Sequence, residues 1–207
     1  MVDVLFFPIR QVLGDNRSWL IMAAAIFFVC AVGFYYTSST FPEETGQVVD
    51  TQIEDMLAFF ELFIESNPLI SSLLIFMNNF LSMAQMLLLG VVAGISPLFT
   101  LGLNGAMVGI LLAITTGEGF PLFQVIAFGI LPHGIFELFA FFLCGAMGLK
   151  FGYHCVASPL PGKTRMESFR YIWKEVISVM PLIVILLIAA AFIEMLVTPK
   201  LLELIIP

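Results

Sequence analysis

Charge is what this sequence has least of. Only 11% of its 207 residues are Asp, Glu, Lys or Arg, and 60% are hydrophobic. A soluble domain of this size carries about a quarter charged residues and is roughly half apolar. A surface facing water needs polar side chains, so the deficit excludes an ordinary soluble domain, and the mean hydropathy of +1.07 points to a bilayer as the solvent. Eight Lys and Arg in all leave no basic patch for nucleic acid. Three cysteines, Cys30, Cys144 and Cys155, make an odd count without framework spacing, which excludes a disulfide scaffold. Cys30 and Cys144 fall inside apolar runs and behave as small hydrophobes. Two histidines and no HExxH leave the usual zinc-protease site without its ligands. No glycine-rich phosphate loop stands in a strand-to-helix setting, so no cofactor is expected and energy coupling would come from a partner or an ion gradient.

What is present is a series of apolar runs. The first, "WLIMAAAIFFVCAVGFYY" over 19–36, has aromatic residues at both ends, as rings at a membrane interface do, and is just long enough to cross ~30 Å of hydrocarbon. No small-residue cleavage site follows it, so it reads as a retained anchor. Residues 1–18 precede it, and their apolar part "VLFFPIRQVL" is short enough to lie along the membrane surface. Residues 37–66 carry Glu43, Glu44, Asp50, Glu54, Asp55, Glu61 and Glu65 with no Lys or Arg. Within them "IEDMLAFFELFI" places Ile53, Met56, Leu57, Phe60, Phe63 and Ile64 at helical spacing opposite the acids, an amphipathic helix against the membrane or bundle.

Further crossings are expected over 67–96 and 98–116, divided at "GISPLF" by Pro97. Another follows over 120–151, where Pro132, flanked by Gly129 and Gly134, either kinks one helix or separates a half-helix from a second segment. A basic loop, 150–177, holds Lys150, Lys163, Arg165, Arg170 and Lys174 against Glu167 and Glu175. A last crossing occupies 178–198, and 199–207 form a tail. The fold expected is an all-α polytopic transmembrane bundle of five crossings, six if the half-helix is a full span. Positive-inside charge and crossing parity agree: Arg10, Arg17 and the basic segment share the cytoplasmic side of the plasma membrane, and the acidic loop and C-terminus lie outside.

The polar residues inside these runs are the candidate site. His133 and Glu137, in "LPHGIFEL", are one helical turn apart on nearly the same face. A carboxylate near the bilayer centre costs about 2.5–3.5 kcal/mol on insertion scales, so that face is expected to point inward. Asn78, Asn79 and Asn104 are candidate partners in a cluster drawn from three spans. Three readings compete. The first is a packing lock of interhelical hydrogen bonds worth about 0.6 kcal/mol each. The second is a transport or proton-handling site. The third is a metal site for intramembrane hydrolysis, for which His133 and Glu137 supply two ligands where zinc catalysis needs three. Glu194, near the outer end of the last span, reads as a snorkelling or interface residue.

Gly90 and Gly94, Gly105 and Gly109, and the stripe Ala140, Cys144, Gly148, Gly152 allow close helix approach. They serve internal packing or a homo-oligomer, and spacing alone does not separate the two.

Together, "NNF" at 78–80, "LGVVAG" at 89–94, "LGLNGAMVG" at 101–109 and "PHGIFEL" at 132–138 resemble the stage II sporulation protein M family, across about the middle third of the chain. The Pro-His-Gly-x-x-Glu element is the most specific part. The resemblance implies a multi-pass helical membrane protein. In spore-forming bacteria the namesake acts in engulfment, as a membrane scaffold for partners that degrade peptidoglycan. Asn78, Asn79, Asn104, His133 and Glu137 carry over as motif positions, with no catalytic role attached. The leading expectation is therefore a non-enzymatic scaffold or assembly factor with the lipid bilayer and protein partners as its surroundings. A transporter or channel component is the alternative, and a metal-dependent intramembrane hydrolase the third reading.

Overall fold

The computed structural model describes residues 6–42 and 68–203. The acidic segment and the amphipathic helix expected over 53–64 lie outside the described residues. Those described form helices α1 (Ile9–Asp15), α2 (Arg17–Thr40), α3 (Pro68–Gly90), α4 (Ile95–Gly117), α5 (Leu122–Ala157), α6 (Arg165–Leu196) and α7 (Thr198–Leu202). Five of them, α2 to α6, are long and apolar enough to cross a membrane.

Side-chain pairings give their directions. Phe27 meets Phe141 and Trp19 meets Tyr153, so α2 and α5 run antiparallel. Gly90 abuts Gly148 and Asn79 lies beside Glu137, so α3 runs parallel to α5. Lys150 pairs with Glu175 while Glu137 faces Glu194, so α6 runs antiparallel to α5. The five long helices among the described residues therefore alternate in direction. Residues 7–19, 91–94 and 150–175 gather at one end, called here the near end, and His133 and Thr198 stand toward the far end.

Helix α5 is the axle. From Phe141 to Gly152 all residues but Phe142 are buried, because α2, α3, α4 and α6 surround it, and a helix apolar on every side belongs in such a place. Phe27, Met86, Leu101, Ile183 and Leu187 close on it. The outward faces are just as apolar: Val29 is 71% exposed, Phe99 63% and Ile185 64%. Side chains like these pointing away from a packed core suit a lipid environment.

The close approaches depend on glycine. A Cβ on Gly105 or Gly109 would strike the backbone carbonyls of Phe27 or Ala31 on α2. A Cβ on Gly90 would sit 2.7 Å from the Cα of Gly148, and one on Gly152 would meet the backbone of Gly94. All six glycines of the stripes therefore lie inside the bundle, where they bring α2 to α4 and the α3–α4 turn to α5. In that turn Ala93 and Gly94 have φ of 55° and 70°, the left-handed conformation that reverses a chain in few residues.

Several boundaries differ from those expected. The turn between α3 and α4 precedes Pro97, which sits in the first turn of α4, where a missing N–H costs nothing. Pro132 does not break its helix. A wide, π-helical turn over Val125–Ile130 comes immediately before it, and i→i+5 bonding there accommodates the proline ring within a continuous path. The 36 residues of α5 and the 32 of α6 extend on the order of 50 Å, well beyond the hydrocarbon. The basic segment 150–177 is accordingly mostly helix, with the connection confined to 158–164. Thr164 caps α6: Glu167 N–H donates to its hydroxyl at 3.3 Å and the Glu167 carboxylate accepts from Thr164 N–H at 2.7 Å, a reciprocal capping box. The N-terminal segment is packed against α6. Phe7 N–H donates to Ser178 Oγ at 2.7 Å, its ring meets Tyr171 at 5.1 Å, and Val12 is buried in the core. The described part of the tail is docked, with α7 against the wide turn and Leu202 beside Gly129.

Candidate functional site

The far-end polar cluster is assembled by four helices. Because α5 is continuous through Pro132, His133 and Glu137 stay in register on one face. Antiparallel α6 brings Glu194 to the same level, and the three side chains offer ligating atoms that all lie within 4.8 Å of one another. Thr198, at the first position of α7, places Oγ1 3.2 Å from His133 Nδ1 and donates to Ile193 O at 3.3 Å. The amide of Asn79 on α3 stands beside the Glu137 carboxyl. Judged by the α2–α5 pairing, Glu137 is level with the half of the first apolar span that lies toward the far end. Among the described residues the only ion pair is Lys150–Glu175, about 20 Å away along α5. Two carboxyl groups and an imidazole thus meet between apolar helices, and among the described residues neither carboxyl is ion-paired with a cationic side chain.

The cluster is not the one expected. Asn79 belongs to it. Asn104 does not: it is exposed on α4, and its amide donates to Thr100 O of its own helix at 2.8 Å. Asn78 is likewise on the exposed face of α3. Glu194, read as an interface residue, is instead a member, and Thr198 was not foreseen. The sequence signal for Glu194 was its isolation, a single acid near the end of the helix whose apolar stretch has the highest hydropathy among the described spans.

A second polar centre, wholly missed by the sequence reading, is buried at the near end. Lys150 Nζ donates to Glu175 Oε2 at 2.6 Å and to Asn16 Oδ1 at 2.8 Å. Asn16 Nδ2 donates to Glu175 Oε1 at 2.9 Å and to Val12 O at 2.8 Å. All three side chains are inaccessible, with Asn16 at 0%, Glu175 at 1% and Lys150 at 4% exposure. The Tyr171 ring lies 5.7 Å from Nζ. Each group satisfies another, so the ring of bonds ties the α1–α2 junction to α5 and α6. The clue in sequence was Lys150 at the end of the small-residue stripe, between Gly148 and Gly152, where a cation needs a partner. Around this level Trp19, Tyr153 and Trp173 form aromatic contacts, the composition of a membrane interface. Outside it, an open cleft of about 320 Å³ is lined by Lys163, Arg170 and Lys174 with Glu167, Tyr171 and Phe7.

Residues 20–199 match the family profile "Stage II sporulation protein M". The chain belongs to this family. The match contains every member of the far-end cluster, whereas Asn16 of the near-end ring lies outside it. An uncharacterized protein of Methanocaldococcus jannaschii is 33% identical over 123 residues, covering 59% of this chain and 68% of that protein. No solved structure matches the chain. Stage II sporulation protein M membership agrees with the five apolar helices and identifies a multi-pass membrane protein; it assigns no chemistry to either polar centre.

Proposed function

We propose that this stage II sporulation protein M family member is a non-enzymatic scaffold or assembly factor of the cell membrane. The observation that supports it is the backbone-to-backbone seating of α2 on α4 and of the α3–α4 turn on α5 through Gly90, Gly94, Gly105, Gly109, Gly148 and Gly152. Helices packed this closely resist sliding, and the near-end ring fixes the N-terminal segment to the same body. A rigid membrane block suits holding partners in place. Its near end would face the cytoplasm, because Arg10, Arg17, Lys163, Arg165, Arg170 and Lys174 all belong to it, and the C-terminus would be external. The partners would be membrane or surface proteins engaged at the ends, or a second copy along the lipid-facing sides.

The test is recovery of a defined complex from native membranes in mild detergent, weighed by native mass spectrometry. A stable complex that dissociates with Gly109→Leu but survives Gly33→Ala supports the reading. A second reading, transport of protons or cations, is favoured by the apposed carboxyls of Glu137 and Glu194. Reconstituted vesicles showing flux that Glu137→Gln abolishes would replace the scaffold with a transporter.

A further inference from the structure

We infer that His133, Glu137 and Glu194 form a binding site for one divalent first-row metal ion, of the zinc or manganese kind, joining α5 to α6 at the far end of the bundle. The inference goes beyond the scaffold reading and needs no partner.

Three lines carry it. The first is convergence: one imidazole and two carboxylates, from two helices, have ligating atoms within 4.8 Å of one another. A tetrahedral ion with bonds of about 2.0–2.2 Å holds its ligands roughly 3.4 Å apart, so small rotations of the glutamates complete the set. One nitrogen and two oxygens leave the fourth position to water, and this mix suits zinc or manganese better than softer ions.

The second is the state of the histidine. His133 Nδ1 lies 3.2 Å from the Thr198 hydroxyl, whose single hydrogen has Ile193 O as an acceptor at 3.3 Å; with the hydrogen assigned there, the oxygen accepts from Nδ1–H and the Nε2 lone pair is left bare. That is the ligating tautomer, held by a hydroxyl from outside the ligand set, as metal-bound histidines commonly are. The amide of Asn79 beside Glu137 orients a carboxylate in the same way.

The third is charge. With both glutamates ionised and the imidazole neutral, the ligand set sums to −2, and a single divalent cation brings it to zero. A neutral site is what hydrocarbon tolerates, since uncompensated carboxylates at this depth are costly. Lys150 is committed to Glu175 at the other end, and no side-chain ion pair reaches the site among the described residues.

Full-length protein purified in detergent, stripped with a chelator and titrated with Zn²⁺ tests the proposal. Co²⁺ replaces zinc for visible ligand-field absorption. One ion per chain is expected, with a Co²⁺ spectrum of nitrogen–oxygen coordination. Glu194→Gln and His133→Gln should weaken binding by more than the ~10–100-fold expected of Thr198→Val, which removes only the outer hydrogen bond. His154→Gln, at the near end where the ring bonds Ser158 O at 2.7 Å, should leave affinity unchanged. If the ligand variants fail to fold, Thr198→Val decides: a shift of 10-fold or more supports the site, and unchanged affinity overturns it. Folded wild-type protein that binds no stoichiometric ion also overturns it and makes the carboxyls a proton-sharing pair. Recovery of partner complexes is scored separately, so the scaffold reading can fail while this site stands, or the reverse.

Discussion

Replacing Lys150 with Met removes the only cation from the near-end ring and leaves the Glu175 carboxylate facing Asn16 in a dry interior. Both charged side chains are nearly inaccessible, at 5% and 1% of their side-chain surface, so solvent offers little relief. Breaking a buried pair from one side costs about 3–5 kcal/mol, because the surviving ion keeps its desolvation penalty without its attraction. Replacing both partners, as in Lys150→Met with Glu175→Leu, removes the penalty together with the attraction, and the cost should fall to about 2 kcal/mol or less. The residual cost arises from Asn16, which loses two of its hydrogen-bond partners and keeps only Val12 O. The assay is reversible unfolding in mixed micelles, read by Trp19 and Trp173 fluorescence, on the four corners of the double-mutant cycle. Strong coupling is the expected result, with the double variant more stable than Lys150→Met alone. Additive losses below about 1 kcal/mol each would refute the argument, since they would mean that the two charges are hydrated in the folded protein.

Gly105→Leu and Gly109→Leu should destabilise by at least the 1–3 kcal/mol of an overpacked core, because the backbone of α2 occupies the space a side chain needs. Gly33→Ala and Gly117→Ala, which meet nothing within 4 Å, should stay within about 0.5 kcal/mol of the parent in the same unfolding assay. Asn79→Ala should cost roughly 0.6–1.7 kcal/mol as a lost interhelical contact, whereas Asn104→Ala, whose amide bonds its own helix, should cost less; equal losses would argue against the cluster as drawn. Cys155, half-exposed at the near end while Cys144 is buried, should react with a membrane-impermeant maleimide in inside-out vesicles and not in intact cells, and the opposite pattern would reverse the orientation proposed.

Most of the fold was legible because hydropathy and charge act along the chain. A run such as 19–36 is long and apolar enough to cross lipid whatever surrounds it, and the alternating directions of the described spans match the expected order of crossings. The glycine stripes were legible as close contacts, but their partners were not, since spacing carries no information about which helix lies opposite. The site was only partly legible for the same reason. His133 and Glu137 share a helix, so their proximity follows from the pitch, but Glu194 and Thr198 arrive from 57 residues or more along the chain. Asn104 misled because an intramembrane amide was assumed to need a partner on another helix, and a bond to Thr100 O four residues back satisfies it on a lipid-facing surface. Lys150 and Glu175 were read as loop charges because the connection was drawn too long. The capping box at Thr164 was the local signal that α6 begins early enough to bring Glu175 back beside Lys150.

The two polar centres divide the work of holding α5 against α6. At the near end the charges are Lys150 and Glu175, and the amide of Asn16 bridges them, so the ring is complete from the chain's own side chains. At the far end two carboxyl groups meet one imidazole, and the same bookkeeping does not close. Between the two levels the interface is apolar, with Cys144, Met147, Ile183 and Leu187 in the core, and dispersion there fixes distance more than register. Register must come from the ends. A far end that depends on a bound cation or on protons would make the outer half of this helical hairpin responsive to ionic conditions that the inner half ignores. That asymmetry has a direct consequence: stripping metal from the wild-type protein should raise amide exchange around Gly129 to Glu137 and Glu194 to Leu202 while exchange near Lys150 and Glu175 stays unchanged. Uniform loosening of both ends would contradict it.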